Sequence, residues 1–265
     1  VAEDDTTSSD LSVSSYGGTI ADAAGGAAGA ASGDLGDVTV DGDAPDLVSV
    51  AATNGAYGIG VALSITVTWD EACVKSGTPT LTLSNGDTAT YASGSGTTAL
   101  VFTTTVAEGD TDSSDLQVSS YSGTLADAAG GACAAASGDL GSVSVDGDTP
   151  DITGVAATDG DYGVGETLSI TVTFDQAVDV TSSPTLTLSN SDTATYSSGT
   201  GSTDIVFTTV IAEDDAAASD LSVTSINANG GNIEDAADND FSTTIGNGDL
   251  GTVTVDGDAP DFVAD

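Results

Sequence analysis

Val40-Asp41-Gly42-Asp43-Ala44-Pro45-Asp46 returns as Val145-Asp146-Gly147-Asp148-Thr149-Pro150-Asp151, and again as Val255-Asp256-Gly257-Asp258-Ala259-Pro260-Asp261. Each copy sets three carboxylates, a Gly and a Pro within six residues, directly after a β-rich run. Pro locks its own φ and biases the residue before it toward extended backbone, so the segment reads as a stiff joint between β-domains. Asp41 and Asp146 are 105 residues apart, and Asp146 and Asp256 are 110 apart. Self-similarity at such a period marks a repeat architecture. Residues 62–70, Ala-Leu-Ser-Ile-Thr-Val-Thr-Trp-Asp, align with 167–175, Thr-Leu-Ser-Ile-Thr-Val-Thr-Phe-Asp. Val1-Ala2-Glu3-Asp4-Asp5 aligns with Val106-Ala107-Glu108-Gly109-Asp110. The chain therefore reads as the second half of a repeat (1–40), whole repeats at 41–145 and 146–255, and the start of a further linker (256–265). Val1 falls inside a repeat, so the start reads as a cut edge or a processed end.

Within one repeat the pattern predicts seven strands, at 152–157, 167–174, 185–189, 193–197, 203–210, 220–226 and 251–255. The second has a clear period of two: Leu168, Ile170, Val172 and Phe174 share one face, and Thr167, Ser169, Thr171 and Thr173 the other. Asn85-Gly86-Asp87 and Asn190-Ser191-Asp192 read as hairpin turns. The long connection after strand six, with Asp127-Ala128-Ala129 and Asp235-Ala236-Ala237, has room for a short helical turn. Seven short strands without a helical period predict an all-β fold of tandem immunoglobulin-like seven-stranded β-sandwiches arranged end to end.

Composition narrows the function. The chain carries 42 acidic residues, one basic residue (Lys75) and no His, for a formal net charge of −41. Nucleic acid and anionic membrane surfaces share that sign and are poor partners, so neither nucleic-acid binding nor membrane insertion is expected. Without His, and without Ser/His/Asp or Cys/His sets or a phosphate loop, an enzyme is not expected. No apolar run approaches the ~20 residues of a membrane-spanning helix, and no signal peptide is evident. Only six acids are glutamates; a bias to the shorter carboxylate suits turns and calcium loops. Cys73 and Cys133 fall in one repeat, and Val178 replaces Cys73 in the next. Joint presence and joint absence point to a disulfide and an oxidising, extracellular setting; two free buried thiols are the alternative. Trp69 and Phe174 occupy matching strand ends, where alternation points them to the core and sugar stacking is the alternative.

The run of Asp-Gly-Asp-Ala-Pro, a Gly-rich turn with Tyr57 or Tyr162, Leu-Ser-Ile-Thr-Val-Thr-Phe-Asp, Pro-Thr-Leu-Thr-Leu and Thr-Ala-Thr-Tyr-Ser-Ser-Gly resembles bacterial Ig-like, cadherin-like tandem repeats of large extracellular surface proteins. The joint is similar to the calcium-binding linker of cadherins. The resemblance covers both full repeats and the leading half. It implies a non-catalytic, calcium-dependent extender of a surface adhesin.

Loops of a seven-strand sandwich alternate between its two ends, which predicts where carboxylates gather. The first joint collects Glu3, Asp5 and Asp10, then Asp41, Asp43 and Asp46, then Asp70, Glu71 and Asp127. The second collects Glu108, Asp110, Asp115, Asp146, Asp148, Asp151, Asp175 and Asp235. The third offers Glu213, Asp215, Asp220, Asp256, Asp258 and Asp261. Calcium takes six to eight oxygens, so such sets predict Ca2+ at the joints. Two ionised carboxylates ~5 Å apart repel by roughly 3 kcal/mol at an effective dielectric near 20, and a divalent cation reverses that sign.

These readings predict a structural, rigid repeat region on a microbial cell surface, partnered by adjacent repeats of its own chain and by identical subunits in a fibre. An adhesin extender is one version. A self-assembling subunit of an extracellular filament or surface layer, completed by a neighbour's strands, is the second. A carbohydrate-binding module is a third.

Overall fold

Alternation in the sequence becomes alternation in burial. Along Thr167–Val180, Leu168, Ile170, Val172, Phe174 and Val178 are buried while the intervening residues face outward. The computed structural model describes residues 7–30 and 32–258. Among them the chain is all β, in several sheets consistent with a sandwich class, with no helix. Chain contacts divide it into two compact units. One holds residues up to Asn54, Ala62–Thr104 and Asp115–Val143; the other holds Gly55–Val61, Thr105–Ser114 and the residues from Ser144 onward.

In the second unit, hydrogen bonds link Ile152–Ala157, Thr167–Val180, Ser202–Val210, Thr193–Ser198, Thr185–Leu188 and Val223–Asn227 in one path. An immunoglobulin sandwich divides its strands between two sheets. Here Thr193–Ser198 pairs with strands on both sides, so the path continues through what would be the gap. Six of the seven predicted strands appear within three residues of their expected ends, and the strand at 167 runs on to Val180. Gly160–Gly163 adds a strand that pairs parallel with Val253–Asp256. The core joins Leu168, Ile170, Phe174, Phe207, Leu221 and Val253, and Tyr196 meets Phe207 edge-on at 6.0–6.1 Å, as Tyr91 meets Phe102 in the other unit.

The first unit repeats the pattern with one covalent difference. Ala62–Leu83 buries Leu63, Ile65, Val67 and Trp69, and Cys73 bonds Cys133 across 60 residues. The matching positions in the second unit are Val178 and Phe241, which join the apolar core, with Phe241 edge-on to Phe174. Trp69 is 1% exposed, and its indole N–H donates to the Ala134 carbonyl. Burial assigns Trp69 and Phe174 to the core. The disulfide fits folding in an oxidising compartment.

The connection after strand six holds turns in place of the helical turn. Asp127 Oδ1 accepts from the N–H groups of Ala129, Gly130 and Gly131, and Asp235 Oδ1 from those of Ala237 and Asn239. A side chain that collects these donors competes with helix formation.

The leading half-repeat, within the first unit, exposes what its counterparts bury. Val13, Ile20, Leu35 and Val38 are 37%, 55%, 48% and 39% exposed; the equivalent Val118, Leu125, Leu140 and Val143 are at most 2% exposed. Among its described residues Ser12–Val13 pairs with Gly33–Asp34, and isolated bridges such as Ser8 with Val40 add to this.

Closing a 60-residue loop restricts the unfolded chain by about 4 kcal/mol in the chain-entropy model. The double substitution Cys73→Ser/Cys133→Ser is expected to lower stability by that order. Trp69, the sole tryptophan, reports unfolding of this unit by fluorescence in denaturant. An unchanged midpoint would show that the bond adds no stability.

Candidate metal centre

Each joint begins with the same local frame. The first Asp of the motif accepts from the backbone N–H two residues on: Asp41 from Asp43 at 3.4 Å, Asp146 from Asp148 at 3.2 Å, Asp256 from Asp258 at 3.1 Å. This is the Asx turn that a short carboxylate makes and a Glu does not. The Gly between them is a matter of space. A Cβ on Gly147 would land on the Asp110 backbone, and one on Gly257 on the Asp215 backbone. Those glycines accept through their carbonyls from the Gly109 and Asp214 N–H groups, so the joint is stitched to the preceding loop.

Several predicted ligands hold this frame. Asp70 Oδ1 accepts from the Asp46 N–H at 2.7 Å, and Asp175 Oδ1 from the Asp151 N–H at 2.9 Å. Asp110 and Asp215 each cap their own loop, through the Ala107 and Ala212 N–H groups. Glu108 accepts from the Thr149 hydroxyl, Asp43 from the Thr7 hydroxyl, and Asp115 from the Gln117 amide. Asp10, Asp220 and Asp258 are exposed, and Glu213 lies in the loop that Asp215 caps. Glu3, Asp5 and Asp261 lie outside the described residues.

Among the described residues, one predicted set converges tightly. Asp41, Glu71 and Asp127 each bring an oxygen to within 4.8 Å of the other two. A central ion with calcium–oxygen distances near 2.4 Å spans oxygens that far apart. Asp127 is held by its Oδ1, while its Oδ2 is buried and has no hydrogen-bond partner. Gly131 lies against that oxygen, where a Cβ would collide with it. Glu71 titrates above its ordinary value. Partial desolvation is the first cause, followed by the charges of Asp41, Asp70, Asp43 and Asp127. Three carboxylate oxygens this close together make a set that could hold a metal ion.

In the second joint Asp235 and Asn239 are buried, each 4% exposed. Asp146 titrates above its ordinary value, chiefly through desolvation and then through Asp235, Asp112 and Asp148, against a lowering hydrogen bond from the Asp148 N–H. Three participants escaped the sequence reading. Asp112 accepts from the Gly147 N–H at 2.9 Å, and Gln176 and Asn239 donate to joint carbonyls and to Asp235. Asp112 breaks the repeat pattern, since its counterparts are Thr7 and Ala217, and a search for recurring acids passes over amides.

No family model matches this chain, and a search of curated proteins finds no match.

A carboxyl whose pKa is higher folded than unfolded keeps its proton better in the native state. Its contribution is then most favourable below the unfolded value and declines as pH climbs through the folded one. In chelator, the first unit is expected to lose stability through Glu71 as pH climbs above the ordinary Glu value of about 4.3, and Glu71→Gln should remove that part of the slope. Trp69-monitored unfolding of both proteins across this range checks it; parallel pH profiles would show that Glu71 carries no such strain.

Proposed function

We propose that this chain is a non-catalytic run of tandem immunoglobulin-like repeats from an extracellular microbial surface protein, stiffened by calcium at its joints and serving as the extender of an adhesin. The observation that carries this reading is the convergence of Asp41, Glu71 and Asp127, with a buried, unpartnered Asp127 oxygen at the motif that recurs three times. The chain's own bases cannot neutralise that cluster. Lys75, its sole cation, donates to the Gly77 carbonyl and lies over the Tyr91 ring. Extracellular calcium is millimolar, and modules of this kind bind it at ~0.1–1 mM. The disulfide supports an extracellular, cell-surface location.

A second reading draws on the leading half-repeat. Val13, Ile20, Leu35 and Val38 present the face that strands of a repeat's first half cover elsewhere in this chain. In that reading the chain is a subunit of a filament or surface layer, and a neighbour's strands complete the half-sandwich by β-addition.

Thermal melting with and without millimolar calcium, with magnesium as control, tests the first reading, and small-angle scattering on the same samples reports extension. A calcium-specific gain in melting temperature and in length is expected. Stability that follows total salt, with no calcium preference, would overturn it. Scattering mass that grows with protein concentration to a defined oligomer would favour the filament.

A further inference from the structure

The first two joints share a frame and fill it differently. At the positions of Asp41, Asp43 and Asp127 the second joint keeps Asp146, Asp148 and Asp235. At the position of Glu71 it has Gln176, and at that of Gly131 it has Asn239. The shared turn geometry fixes this correspondence: the Asp127 N–H donates to the Gly131 carbonyl as the Asp235 N–H does to that of Asn239.

Both substitutions replace nothing, or a negative group, with a hydrogen-bond donor. Gln176 Nε2 donates to the Asp148 carbonyl at 3.3 Å and to Asp235 Oδ2 at 3.4 Å. Asn239 Nδ2 faces Asp235 Oδ2 at 3.0 Å and the Asp146 and Asp148 carbonyls at 3.2 Å. Its Oδ1 accepts from the Ile59 N–H at 2.6 Å, which fixes the amide's orientation. The acceptors these amides satisfy are two backbone carbonyls and a carboxylate, the oxygen types that calcium gathers. Asp235 is left with both oxygens partnered, whereas Asp127 Oδ2 has none. An ionised Glu71 offers no donor, and Gly131 offers no side chain.

We propose that Gln176 and Asn239 close the second joint in place of a cation, so that ion dependence in this chain belongs to the Asp41–Glu71–Asp127 joint. The part concerning the first joint rests on the calcium reading above; the amide lock does not. Amide donors carried by the chain are permanent, so the second joint is set at any calcium concentration, while the first follows the ion. The motif thus comes in two versions, told apart by Glu with Gly or Gln with Asn at two positions outside it.

Exchanging the residues tests this. Melting in chelator reads the lock alone. Gln176→Glu is expected to lower the melting temperature, because it removes a donor and adds charge beside a buried Asp235. Glu71→Gln is expected to raise it. A Gln176→Glu protein as stable as wild type in chelator would overturn the lock. Equilibrium dialysis with calcium reads the ion. Glu71→Gln should lose the calcium-induced gain in melting temperature, and Gln176→Glu/Asn239→Gly should bind about one more calcium per chain than wild type. If wild type and both variants bind no calcium while the chelator shifts stand, the calcium reading fails and the lock survives. If wild type binds calcium and Asp146→Asn, but not Glu71→Gln, reduces that binding, the assignment of the two joints is overturned.

Discussion

Carboxylates that meet in a partly dry place require a positive partner, and a chain with 42 acids and one base supplies almost none from its own charges. That constraint organises this protein. Most of its acids escape by facing water. At the joints Asp43, Asp148 and Asp258 do the same, whereas Glu71, Asp127 and Asp146 are half-buried and Asp235 is buried, drawn in by the Asp-Gly-Asp frame and the Asp-centred turn after strand six. Two solutions are on view. One lets three oxygens of Asp41, Glu71 and Asp127 converge, the arrangement we propose a cation fills. The other brings amide hydrogens from Gln176 and Asn239 to the same kinds of acceptor.

The cores repeat this theme of equivalent solutions. Where one unit ties the end of its second strand to the connection after strand six with Cys73–Cys133, the other places Val178 and Phe241 and packs Phe241 against Phe174. A covalent link acts mainly on the unfolded chain, whereas aromatic burial acts on the folded one. Both hold together the segment that carries Asp127 or Asp235.

Period-two alternation made most strands legible, because a face of Leu, Ile, Val and Phe has one place to go. The Asp-centred turn was harder to read, since Asp-Ala-Ala favours a helix start as readily as an Asx turn, and only the collected N–H groups decide between them. The continuous sheet path was legible in its parts, since Asn190-Ser191-Asp192 and Ser198-Gly199-Thr200-Gly201 are turns that pair Thr193–Ser198 on both edges, but the division into two sheets expected of an immunoglobulin sandwich hid their sum. At the site, Asp41, Glu71 and Asp127 were reached by following recurrent acids. The same habit included Asp70, Asp110, Asp175 and Asp215, which cap backbone, and passed over Gln176 and Asn239, whose role appears only when the repeats are compared position by position in three dimensions.

The sole tryptophan, Trp69, sits two residues before Glu71, which gives the first joint its own optical reporter. Terbium takes calcium sites and luminesces when a nearby indole transfers energy to it. Exciting Trp69 selectively should produce terbium emission that calcium displaces and that Glu71→Gln abolishes while leaving the fold intact. Absence of sensitised emission at terbium concentrations that saturate millimolar calcium sites, or emission indifferent to Glu71→Gln, would contradict a cation at this joint.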